Sequence, residues 1–192
     1  ARCCMQRQVM QRRARTASAA CCPRISCHGC AGWPIRCDDR RMHDVFLENA
    51  DATDALGARL ASALPPHAVA YLHGDLGAGK STLARALLRA LGVTGTIRSP
   101  TYTLVEHYPL PNGGVALHLD LYRIGDPGEL EFLGLDPAET RLWLVEWPER
   151  GQGGLPAADL DVVLAVEGTG RRCHLQPRTP GGEAWLQALG SA

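Results

Sequence analysis

The stretch Gly74-Asp75-Leu76-Gly77-Ala78-Gly79-Lys80-Ser81 fills every position of the spacing G-x-x-x-x-G-K-[ST]. Glycines in such a stretch let the backbone approach phosphate oxygens, while successive amide N–H groups and a following helix N-terminus supply positive potential. In that chemistry Lys80 reaches the β and γ phosphates, and the Ser81 hydroxyl ligates a magnesium ion that bridges them. Asp75 must point outward. Composition supports the assignment independently, because only one of the 20 Lys plus Arg residues is a lysine, and it is Lys80. These residues predict a nucleotide-binding ATPase.

A phosphate loop needs a strand before it and a helix after it. Ala68-Val69-Ala70-Tyr71-Leu72-His73 is an apolar run of strand length, opened by Pro65-Pro66 and closed by Gly74. Beyond the loop, Leu83, Ala84, Leu87, Leu88 and Leu91 recur at helical spacing, with Arg85 and Arg89 opposite them and Gly92 as the stop, so a helix starts near Lys80. A second source of chemistry is Leu142-Trp143-Leu144-Val145-Glu146-Trp147, an apolar strand ending in a carboxylate. A Walker B acid is presented to magnesium in this way at the C-terminal edge of a sheet, which makes Glu146 a metal-ligand candidate. Asp120 stands near the end of another strand, Val115 to Tyr122.

The remaining elements follow from pattern. Asp44 to Leu47 is a candidate first strand, followed by a helix signalled by Asp51, Thr53, Leu56, Leu60 and Leu64, with Thr53 either capping it or facing the base. Thr96 to Tyr108 has a polar entry and then alternates as a strand, pairing with Val115 to Tyr122 in a hairpin around Asn112-Gly113. Asp126-Pro127 opens a helix that Gly134 ends. Leu160 to Val166 and Cys173 to Gln176 read as strands, and Glu183 to Leu189 as a closing helix.

The chain of 192 residues suits one domain with a real core. Its formal charge of zero hides an asymmetry: residues 1–41 hold nine Arg against two acids, net +7, and residues 42–192 are at −7. Seven of the eight cysteines also lie in the first part. That arm has no periodicity and too little apolar surface to repay ordering, so it reads as disordered. Cys27-His28-Gly29-Cys30 has the spacing of half a zinc site, and an Arg-rich, acid-poor leader also resembles a transit peptide. The simpler reading makes Met42 the true start and the arm an artefact of start-site choice. Residues 42–192, with Cys173 alone, read as a reduced, cytoplasmic domain. No apolar run reaches membrane-spanning length.

Four blocks in this order resemble the TsaE family of bacterial ATPases required for tRNA threonylcarbamoyladenosine biosynthesis: Gly74 to Thr82, Ser99-Pro100-Thr101-Tyr102-Thr103-Leu104-Val105, Asp120-Leu121-Tyr122-Arg123, and Leu144-Val145-Glu146-Trp147-Pro148. Residues 1–41 have no counterpart in the family. The resemblance implies a P-loop NTPase of α/β class, three-layered around a central mixed β-sheet. It also implies ATP and Mg2+ as ligands, slow hydrolysis alone, and work within a complex with the TsaD and TsaB proteins, which carries threonylcarbamoyl to an adenosine of tRNA. The family member reaches tRNA indirectly, through that complex.

Residue by residue, the similarity assigns Leu76, Gly77, Ala78, Gly79, Lys80 and Ser81 to the phosphates and Ser81 and Glu146 to magnesium. Asp120 takes a catalytic or magnesium-organising role. Thr101 is a switch residue near the γ phosphate, unless Ser99 and Thr101 only shape a proline turn. Trp147 falls on a position tied to function in the family or simply covers the sheet end. Arg171 contacts base or phosphates, or is a solvated arginine. His73, His107 and His118 lack metal-ligand spacing and read as local packing or hydrogen bonding. Ser81 replaces the threonine of many members, and either hydroxyl binds magnesium.

Three rivals compete. A GTP switch needs a second lysine for its guanine-reading N-K-x-D motif, and the chain has none. A small P-loop kinase acting on a metabolite needs lid arginines, for which Arg150 or Arg171 would serve. Direct RNA binding through the basic arm conflicts with the acidic balance of the rest.

Overall fold

A computed structural model describes residues 43–190, so the zinc half-site and the other expectations for the arm lie outside the described residues. Among the described residues, seven strands form one sheet in the order β1-β7-β6-β2-β5-β4-β3. The strands are β1 (His43–Leu47), β2 (Ala68–His73), β3 (Val105–Pro109), β4 (Val115–Asp120), β5 (Thr140–Glu146), β6 (Leu160–Glu167) and β7 (Gly170–Pro177). Strands β6, β2, β5 and β4 run parallel, while β7, β1 and β3 join antiparallel at the margins, so the sheet is mixed. The central position of β5 explains its composition: Leu142, Trp143, Leu144 and Val145 are all buried, as expected for a parallel strand covered on both faces.

Three α-helices, α1 (Ala50–Ser62), α2 (Lys80–Ala90) and α3 (Pro180–Gly190), pack on one face. There Leu56 and Leu60 of α1, Leu83 and Leu87 of α2, and Trp185 and Leu189 of α3 meet Ala70, Leu72, Leu144 and Val162 of the sheet. The buried Trp185 indole N–H donates to the Leu60 carbonyl at 3.0 Å, satisfying its polar atom inside the core. The other face has its own core of Leu117, Leu119, Leu121, Leu130, Trp143 and Val145. Among the described residues, two 3₁₀ turns, Pro127–Leu133 and Pro148–Gly151, and irregular chain cover it, and no α-helix does.

Several local expectations need correction. Asn49, not Thr53, caps α1, its side chain accepting from the Ala52 amide at 2.9 Å. Thr53 lies one turn further in, buried, with its hydroxyl donating to the Asn49 carbonyl at 3.2 Å. The segment after Asp126 keeps the predicted cap, the proline and the Gly134 stop but winds as 3₁₀ rather than α. Its capping box with Glu129 serves a short turn as well as an α-helix, and seven residues suffice only for the former here. Of the strand expected over 96–108, only Val105 onward pairs, because Pro100 and the positive φ of Leu104 (64°) hold the preceding residues in turns. Strand β4 stops at Asp120, ahead of the expected Tyr122.

Candidate functional site

The parallel core places three strand ends side by side. In the register Leu72 lies opposite Glu146 and Asp120 opposite Glu146, so the loop leaving β2 and the two carboxylates share one edge of the sheet. Side chains alternate along a strand, which sends His118 and Asp120 to the α-helical face with Glu146 and sends Leu117 and Leu119 to the other core.

The loop itself has left-handed glycines at Gly74, Gly77 and Gly79. At Gly74 a Cβ would stand 2.2 Å from the Leu164 carbonyl, so only glycine lets this turn pass against β6. Gly79 precedes α2 without a side-chain cap, leaving the first amides of the helix open toward an anion. Asp75 and Leu76 are exposed, as the outward orientation of Asp75 requires, and Ala78 is buried.

Lys80 is buried, its Nζ donating to the carbonyls of Gly74 at 2.6 Å and Asp75 at 2.9 Å and lying 4.2 Å from the centroid of the Trp147 ring. Burial pushes its ammonium below the ordinary lysine value, against the pull of Glu146, Asp120, Glu149 and Asp75. Trp147 holds this position from a left-handed backbone (φ 57°) and packs on Tyr122, ring centroids 5.0 Å apart.

The Ser81 hydroxyl donates to Glu146 Oε2 at 3.0 Å. Asp120 accepts from the Thr101 hydroxyl on Oδ2 at 3.0 Å and from the Tyr122 amide on Oδ1 at 3.1 Å. Ser99 Oγ lies 3.0 Å from Thr101 Oγ1 and 3.5 Å from Ser81 Oγ, closing a line of oxygen groups across the cleft. These groups, with Arg85, line a cleft of about 280 Å³. Among the described residues no three His, Cys, Asp or Glu side chains converge as a self-sufficient metal site. Magnesium does not need one: it takes one or two protein oxygens and completes its octahedron with phosphates and waters, and the Ser81 hydroxyl beside the Glu146 carboxylate suits that demand.

On the other flank of the loop a cleft of about 400 Å³ is bounded by Asn49, Thr53, Gly79, Thr82, Leu164 and Arg171. Arg171 runs past Gly79, where a Cβ would meet its Nε at 3.7 Å, and its Nη1 donates to the Thr169 carbonyl at 3.5 Å. Thus Thr53, read as a cap or a base contact, has its place in a cleft beside the loop. A larger hollow of about 630 Å³ lies at the opposite strand ends, around His67, Gly114 and Arg141, away from every group named above.

Sequence reasoning reads His118 only as local packing or hydrogen bonding and gives it no place in the site. It is fully buried, with Nε2 2.8 Å from Glu146 Oε1. The signal lies in the two-residue spacing of His118 and Asp120, which on a strand puts both on one face. The support that Tyr122 gives Trp147 is likewise absent from the sequence reading.

The family model described as "Threonylcarbamoyl adenosine biosynthesis protein TsaE" matches residues 47–173, which contain the whole cleft around Lys80 and Glu146. A tRNA threonylcarbamoyladenosine biosynthesis protein TsaE from Haemophilus influenzae is 46% identical over 121 residues, covering 62% of this chain and 76% of that protein. One of the same name from Aquifex aeolicus is 37% identical over 128 residues, covering 66% and 87%. The crystal structure of YdiB from Bacillus subtilis superposes with a TM-score of 0.62 at 26% identity, over 78% of this chain and 95% of YdiB. With a family match spanning well over half its length, the chain belongs to the TsaE family.

Proposed function

We propose that this protein binds ATP with Mg2+ and hydrolyses it, slowly alone, as the ATPase component of the machinery that makes N6-threonylcarbamoyladenosine in tRNA. Its partners on this reading are the TsaD and TsaB proteins, its compartment the cytoplasm, and its contact with tRNA indirect. What supports the ATPase reading above all is the convergence of Lys80, Ser81, Glu146 and Asp120 at the adjoining ends of β2, β5 and β4. Residues 42–192 form the P-loop domain on this reading.

The amides of Leu76 to Ser81 cradle the phosphates, and Lys80 exchanges its two loop carbonyls for phosphate oxygens. Ser81 and Glu146 would hold a magnesium ion, which would supply charge neutralisation for the nucleotide phosphates. Asp120 orients the attacking water through the oxygens that Thr101 and the Tyr122 amide hold in place. Thr101 acts as the switch residue, since its hydroxyl reports to Asp120 while its loop borders the γ-phosphate side of the cleft. Arg171 closes on the nucleotide from beside Gly79. The metabolite-kinase alternative is set aside, because the sequence relatives described above carry the tRNA-modification name.

Phosphate release by the full chain, alone and with TsaD and TsaB, tests the reading. Lys80→Ala and Glu146→Ala each lower turnover by about 100-fold or more, the scale of losing a preorganised electrostatic partner, while far-ultraviolet circular dichroism stays native. Turnover unchanged in either variant overturns that residue's role. Stimulation by the partners that vanishes in Lys80→Ala is the expected signature of a complex-coupled ATPase, and turnover indifferent to them removes the partner assignment.

A further inference from the structure

His118 is the one fully buried histidine among the described residues. Its Nε2 stands 2.8 Å from Glu146 Oε1, and its Nδ1 is buried with no hydrogen-bond partner. An ionised carboxylate only accepts, so Nε2 is the donor and carries the proton. Of the forms that meet this demand, the neutral Nε2–H tautomer leaves only a bare lone pair at Nδ1, whereas imidazolium would bury an unpaired, charged N–H in the core. Glu146 is thereby held at both oxygens by different partners: Oε1 by a buried ring, and Oε2 by the Ser81 hydroxyl.

The two ties differ in kind. Ser81 sits on the first turn of α2 in the open cleft, and its hydroxyl rotates. His118 sits in the middle of β4, between β3 and β5, and its ring is fully buried. Building on the ATPase reading above, the geometry points to His118 as a positioning residue for the hydrolysis: it pins Oε1 so that Oε2 alone is presented to the magnesium-nucleotide. Without that bond the Glu146 carboxylate is free to turn about its terminal torsion, which is broad and two-fold, and its orientation at the cation side changes.

The amide analogues separate this role from packing. A glutamine here extends its side-chain nitrogen to about the reach of Nε2, whereas an asparagine stops near the place of Nδ1, and a phenylalanine fills the volume with no donor. The full chain and its His118→Gln, His118→Asn and His118→Phe variants are compared by steady-state turnover across Mg2+ concentrations. Calorimetric titration with a non-hydrolysable ATP analogue, with and without Mg2+, accompanies it. His118→Asn and His118→Phe are expected to lower kcat and weaken the Mg2+-dependent part of nucleotide binding by about 10-fold or more, the usual effect of removing an outer partner of a metal-ligating carboxylate. Mg2+-free nucleotide binding changes little, and His118→Gln recovers most of the loss.

If His118→Gln and His118→Asn behave alike, whether both active or both impaired, the positioning role is overturned. A uniform loss of Mg2+-free binding overturns it too, since that marks a general packing defect. Should His118→Phe fail to fold, the comparison of the two amides decides by itself. The parent protein separates this inference from the reading beneath it: no nucleotide binding by the parent removes the ATPase reading, while normal parent binding with indifferent variants removes only His118.

Discussion

Asp161 couples charge to stability away from the cleft. Burial on β6 pushes its carboxyl up, but His73 Nε2 at 3.3 Å and the Arg178 guanidinium together outweigh that and hold it below its ordinary value of 3.8. A carboxylate with a lowered native value stabilises the fold fully above its unfolded value. That contribution is lost as pH falls from 3.8 through the lower native one. Arg178 is half exposed, so solvent screens its share. Asp161→Asn should therefore cost roughly 1–2 kcal/mol at neutral pH, and the gap to the parent should close in strong acid. Urea unfolding of both proteins across the acid range checks this; a gap that persists at strongly acidic pH contradicts the ionic origin. At this scale the residues that meet in the cleft are largely legible, because Lys80, Ser81 and Glu146 announce themselves by spacing and by a strand that ends in a carboxylate. His118 is not, since its meaning lies in a hydrogen bond to a residue 28 positions away that periodicity does not encode. The Asn49 cap is obscured for a different reason: Asn49, Asp51 and Thr53 all have capping side chains, and only the entry angle of the chain chooses among them.

Helix α1 packs directly on α2, the helix that begins at the phosphate-loop lysine. Gly57 of α1 lies against α2 so closely that a Cβ would meet Ala86 Cβ at 2.5 Å and the Leu87 amide nitrogen at 2.8 Å. Alanine in place of glycine gains about 0.5–1 kcal/mol from helix propensity, but overpacking at a backbone contact costs about 1–3 kcal/mol, and the second term wins. Gly57→Ala is expected to lower the urea midpoint at an unchanged m-value. It should also weaken nucleotide binding, because the helix it displaces begins at Lys80. Wild-type stability in this variant excludes the close crossing. Most elements can be read from pattern: β2 and α2 fall where the apolar run and the helical spacing put them. The 3₁₀ turn at Pro127–Leu133 passes for α-helix in the sequence because both begin with the same cap and proline, and their difference lies in what the turn packs against.

For the molecule, charge is divided between segments, with +7 on residues 1–41 and −7 on residues 42–192. No helix among the described residues is long and apolar enough to cross a membrane. Removing residues 1–41 should leave ATP turnover and the unfolding midpoint unchanged, because every group named in the two clefts belongs to residues beyond the arm. Any salt-sensitive affinity for tRNA in a filter-binding titration should disappear with the arm. A loss of turnover on truncation instead assigns the arm to the ATPase domain. The order of the strands is the least legible feature, since pairing between distant segments leaves no local trace: β1 finds β7, and β2 lies between β5 and β6.

That order has a consequence for synthesis on the ribosome. The loop strand β2 emerges well before both its neighbours, at residues 140–146 and 160–167, and β1 waits for β7, the last strand among the described residues. Until then the apolar faces of α1, α2 and β2 have no sheet to close on, and the nascent chain must hold them without a core. A nascent chain stalled before β5 emerges should carry the complete phosphate-loop sequence and yet retain no nucleotide. The phosphate-loop sequence is thus translated well before the strands that complete its site.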